Sequence, residues 1–195
     1  DTLGDRAVAI GVDALAAQNF TTTTDNYNIA IGFQAGASVT TAVQNVLIGG
    51  LAGDALTDAD YNVAIGDQAL TSDTRGSRSV AIGQAALFAQ NFTTATNSYN
   101  VAMGYDAGGA VTTGVKNTLI GGLAADSLTT GERNVYVGYT SGDRGTTGDF
   151  NTGVGAETLF TNVAANKNTA VGEAALFSMT AATSTDTLNT GVGYF

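Results

Sequence analysis

The chain has 195 residues, seven basic against seventeen acidic side chains, and a formal net charge of −10. That balance disfavours nucleic acid, whose phosphates need a basic stripe. The absence of His and Cys excludes Ser-His-Asp and Cys-His nucleophilic sites and the common zinc sites, and no apolar run approaches the ~20 residues of a membrane-spanning helix.

The chain opens on Asp1 rather than Met and shows no signal peptide, as expected of a processed or excised segment. From Val8 onward it repeats variants of Asn-Val-Ala-Ile-Gly. The glycines are 11, 32, 49, 66, 83, 104, 121, 138, 155, 172 and 193, so the spacing is either 17 or 21 residues. A fixed period of this size with β-branched residues predicts a solenoid with one coil per repeat. Positions below are counted from each glycine, negative toward the N-terminus.

Each coil predicts one short strand ending at its glycine. Position −1 is always apolar, from Ile10 and Ile31 through Met103 to Val192, and position −3 is always β-branched, from Val8 to Thr190. Position −2 is usually small, with Leu47, Leu119 and Tyr136 as exceptions. This alternation places −1 and −3 on one face and −2 on the other. The β-branched residues are expected to fill a thin core, leaving the small column as a bare outer side. Position −4 is Asn in nine coils, suited to a left-handed corner and to an amide ladder running from coil to coil. The glycine ends the strand where a side chain would crowd the bend.

Between Gly11 and Gly32, and again between Gly83 and Gly104, four extra residues form Thr-rich loops bracketed by Phe20 and Tyr27 and by Phe92 and Tyr99. Residues 181–187 are a degenerate third version. Residues 8–62 match 80–134 at an offset of 72, with 34 of 55 positions identical. The organisation is therefore one domain over 1–195: a four-coil block, 8–79, duplicated as 80–151, and a partial third block, 152–195.

Five of the seven basic residues, Arg6, Arg78, Lys116, Arg133 and Lys167, share position −5 with Tyr27, Tyr61, Tyr99 and Phe150. Stacking would set cations beside rings, either as a ligand ladder or as a seam of long stems covering a contact between subunits. Phe20, Thr22, Tyr27, Phe92, Thr94 and Tyr99 are candidate receptor contacts, since aromatic rings beside hydroxyls suit sugars; the plainer alternative folds both Phe over the core. The carboxylate pairs Asp58 with Asp60 and Asp143 with Asp149 have the residue types for glycoside hydrolysis, but sit in turn segments where Asp is ordinary. No catalytic residue, cofactor or metal is expected.

The Asn-Val-Ala-Ile-Gly copies resemble the head of trimeric autotransporter adhesins. The stretch Asn168-Thr169-Ala170-Val171-Gly172-Glu173-Ala174-Ala175-Leu176-Phe177 resembles repeats of phage tail fibres that end in an endosialidase-type chaperone. The resemblance implies an all-β, left-handed parallel β-solenoid (a β-roll) of about eleven coils, assembled as a parallel homotrimer. It further implies an extracellular, non-enzymatic fibre on a cell surface or virion, attaching to a host glycan or protein. On that expectation the small column, Ala30, Ala64, Ala81, Ala102 and Ala170, faces the trimer axis. An ice-binding solenoid is the alternative from another class, weakened because Thr118, Thr152, Thr169 and Thr190 replace Val or Ile only in later coils.

Overall fold

The computed structural model describes residues 3–179, 181 and 183–194. Eleven three-residue strands, Val8–Ile10 to Thr190–Val192, form one parallel sheet, each paired with its neighbours in the chain. The register is the repeat register throughout, for example Ala64 against Ala81 and Ala102 against Leu119. No described residue is helical. With ~4.8 Å between strands, the ten intervals make a rod roughly 48 Å long. Three two-residue parallel pairs clamp the long coils onto the coil before them: Gly4–Asp5 with Thr24–Asp25, Gly76–Ser77 with Thr96–Asn97, and Ala165–Asn166 with Thr185–Asp186.

The inside and outside of the strand are the reverse of the sequence expectation. Ala30, Ala64, Ala81, Ala102 and Ala170 are completely buried within their own chain, as are Leu47 and Leu119 at the same position. They cannot face another subunit. Positions −1 and −3 point outward instead. The reason is steric. A coil this tight leaves room for about one large side chain between position −2 and position +4, which lies across the core. Where +4 is Leu, −2 is small, as with Ala64 opposite Leu70 and Ala81 opposite Leu87. Where −2 is large, +4 is Gly or Ala: a Cβ on Gly53 would lie 2.8 Å from Leu47 and one on Gly142 2.7 Å from the Tyr136 ring, while Ala125 stands opposite Leu119.

The asparagine ladder is present and more exacting than the pattern suggested. Asn117 Oδ1 accepts the backbone N–H of Asn134 at 2.9 Å, and its Nδ2 donates to the Gly131 carbonyl, also at 2.9 Å. Asn45, Asn62, Asn100, Asn134 and Asn151 do the same for the coil above them. Each buried Asn therefore satisfies two main-chain groups that a corner would leave unpaired. The left-handed backbone lies one residue earlier than expected, at position −5, for instance Tyr27 (φ 53°) and Arg78 (φ 63°). Ser79 interrupts the ladder, and Gln90 and Ser98 close the gap by hydrogen-bonding its hydroxyl at 2.8 and 2.6 Å. The glycine column is enforced by contact. At Gly66 (φ 135°) a Cβ would come 2.5 Å from the Gly83 carbonyl oxygen.

Candidate interaction surface

The outward side of the sheet carries the −3 and −1 columns over all eleven coils. Mid-rod residues such as Val63 and Ile65 are partly exposed, and at the ends Ile10 reaches 58 % and Val192 77 %. The result is a flat, nearly continuous strip of Val, Ile and Thr, with Met103 as its one thioether. Contiguous exposed apolar surface of this kind makes the strip the candidate interaction surface of the rod.

Two further columns rim the strip. At position −5 the side chains are exposed in every coil, and cation and ring stack as the spacing implied. The Arg78 guanidinium lies 4.7 Å from the Tyr61 ring centre, Arg133 lies 5.1 Å from Phe150, and Arg6 5.5 Å from Tyr27. Arg6 also pairs with Asp25 at 3.0 Å and hydrogen-bonds the Tyr27 hydroxyl; Arg133 pairs with Glu132, and Lys167 with Asp186. The Lys167 ammonium holds the Asp186 carboxyl below the usual carboxylate range. At position +1, on the other side, stand exposed Val12, Phe33, Tyr105, Tyr139 and Tyr194. This second rim escaped the sequence reading, because +1 varies among Gly, Ala, Val, Asp, Glu, Gln and aromatics and shows no consensus.

The candidate receptor loops divide. Phe20 and Phe92 are each only 6 % exposed and close the end of the core in the long coils, so they are not contacts. Thr22 and Thr94 are exposed, and Tyr27 and Tyr99 stand in the −5 rim. Of the third version, residue 182 lies outside the described residues.

The carboxylates are occupied structurally. Asp60 accepts the Val43 N–H and Asp149 the Glu132 N–H, both at 2.8 Å, while Asp58 faces Arg75 at 3.5 Å. Asp143 instead stacks on Asp126, one coil away at the same position. Partial burial and a hydrogen bond shared with Asp126 push its carboxyl up to about 6. Burial raises Asp73 as well, although its carboxylate accepts the Gly76 and Phe92 N–H groups and the Gln90 amide. Among the described residues no three acidic side chains converge to hold a metal ion, and no helix is long and apolar enough to cross a membrane. No known family profile matches the sequence, and neither curated proteins nor solved structures supply a similar chain.

Proposed function

We propose that this chain is a stiff, non-enzymatic segment of a surface fibre, a left-handed β-roll that assembles as a parallel homotrimer and serves as spacer and attachment surface. The observation that carries the reading is the outward Val/Ile strip. It runs the whole length of the sheet, and exposing it along a ~48 Å rod is costly unless other chains cover it. Resemblance of the repeats to adhesin heads and phage tail fibres supports an extracellular setting, on a bacterial surface or a virion, and a host glycan or protein as target. Attachment then comes from many weak contacts presented three at a time. The exposed Thr22 and Thr94 loops, outside the −5 rim, are its contact candidates.

Ala64 is completely buried, so it cannot serve to test the assembly. Ala64→Arg would wreck the core and report nothing about assembly. Ile65→Arg puts the charge on the outward strip of a mid-rod coil. It should leave the β-rich circular dichroism intact and convert trimers to monomers in size exclusion with light scattering. Trimers persisting in Ile65→Arg would remove the strip from the interface. Monomers in the unaltered chain would remove the trimer. Binding of the unaltered chain to a glycan array, without depolymerisation of polysaccharide, is the expected result for attachment.

A further inference from the structure

We infer that in the assembled fibre the −5 rim of one chain packs on the +1 rim of the next at the same coil level, in a closed ring of three parallel chains. The inference rests on the trimer reading above and specifies which side chains meet. The outward columns from −5 to +1 span six residues, about 20 Å at ~3.3 Å each, along roughly 48 Å, or on the order of 950 Å² per chain. Divided between two neighbours this is about 475 Å² from each partner, so each of the three interfaces totals on the order of 950 Å², near the ~1,000 Å² floor of a specific interface and repeated around the ring.

Symmetry then decides the pairing. Parallel chains turned about an axis along the rod bring one edge of the strip against the opposite edge of the neighbour. A closed ring tolerates no accumulated slip, so like coils meet. The pairs formed are chemically compatible: Lys167 with Glu173, Arg133 with Tyr139, and Tyr99 with Tyr105. Where the −5 side chain is long without a matching group, as at Lys116, the +1 residue is Gly122. Two chains packed face to face in antiparallel fashion would instead oppose each −5 residue to another −5 residue. With all coils aligned, Arg78 then meets Lys116 and Tyr99 meets its own copy. The like-charge contact disfavours that arrangement.

The chain has no cysteine, so thiol cross-linking is unambiguous. Tyr99→Cys alone should give no covalent product with a short bismaleimide. The double variant Tyr99→Cys with Tyr105→Cys should give a covalent trimer on a denaturing gel. Cross-linking by Tyr99→Cys alone overturns the inference in favour of antiparallel packing. An uncross-linked double variant that is still trimeric by light scattering overturns the rim pairing while leaving the trimer standing, and a covalent dimer overturns the ring of three. A monomer in light scattering before any reagent is added refutes the trimer itself. Charge reversal supplies the second measurement. Lys167→Glu and Glu173→Lys should each lower the trimer's melting temperature, and the double reversal should melt above Lys167→Glu alone, although the intrachain pair of Lys167 with Asp186 stays broken in both. The two residues stand at opposite edges of one chain's strip, so rescue requires contact between chains. No rescue counts against the pairing.

Discussion

Replacing Asn117 by Ala removes one rung of the amide ladder at mid-rod, and its cost follows from the geometry. Asn117 itself keeps its N–H bonded to Asn100. The coil above loses two partners: the Asn134 N–H and the Gly131 carbonyl, both buried. At roughly 2 kcal/mol for each buried group left unpaired, the expected loss is about 4 kcal/mol. In a stack stabilised by nearest-neighbour contacts, that loss falls on the junction between the Gly121 and Gly138 coils and divides the rod into two weakly coupled halves. Urea melts followed by circular dichroism should shift to lower midpoint and broaden or split. Asn117→Asp separates the two roles of the amide. It keeps the acceptor for Asn134 but sets a carboxylate against the Gly131 carbonyl, which raises its folded-state pKa. A raised carboxyl pKa makes the folded state prefer the proton, so this variant should be weakest at neutral pH and regain stability as pH falls toward 4. If Asn117→Ala shifts the melt by less than about 0.5 kcal/mol, the range of an ordinary surface substitution, the ladder is not what holds the coils in register.

Gly66→Ala drives a Cβ into the Gly83 carbonyl at positive φ and should cost about 3 kcal/mol or more, while Gly122→Ala, whose nearest contact is the Tyr139 ring at 3.7 Å, should cost little; equal melts for the two would refute the steric account. Ala7→Ser should stabilise by about 1 kcal/mol. The Asn26 Nδ2 is buried without a partner among the described residues, and the duplicated block places Ser79 at the position equivalent to Ala7. An unchanged or lowered melt for Ala7→Ser would count against that equivalence. Asp143 has a folded pKa of about 6, above the ordinary carboxyl value; its protonation therefore favours the fold, and melting temperature should rise from pH 7 to pH 5. Asp143→Asn should raise the pH 7 value and flatten that slope, and a slope that survives in Asp143→Asn assigns it elsewhere.

The periodic sequence by itself determined the coil count, the strand register and the glycine and asparagine columns, because a stack of like units repeats every local requirement at the same place. The duplication likewise located the long loops. Alternation with a period of two separates two strand faces but carries no sign, so it cannot say which one is inside. Only the closed coil decided that, through the room available opposite position −2. The signal was present in Leu47, Leu119 and Tyr136, each matched by a small residue at +4 (Gly53, Ala125 and Gly142), yet that match is meaningful only once −2 and +4 are known to face each other across a core. The same holds for the Phe20 and Phe92 rings, whose burial depends on where a long coil folds back. It holds as well for the +1 rim, which has no consensus and became visible only when the tertiary structure set it beside the Val/Ile strip.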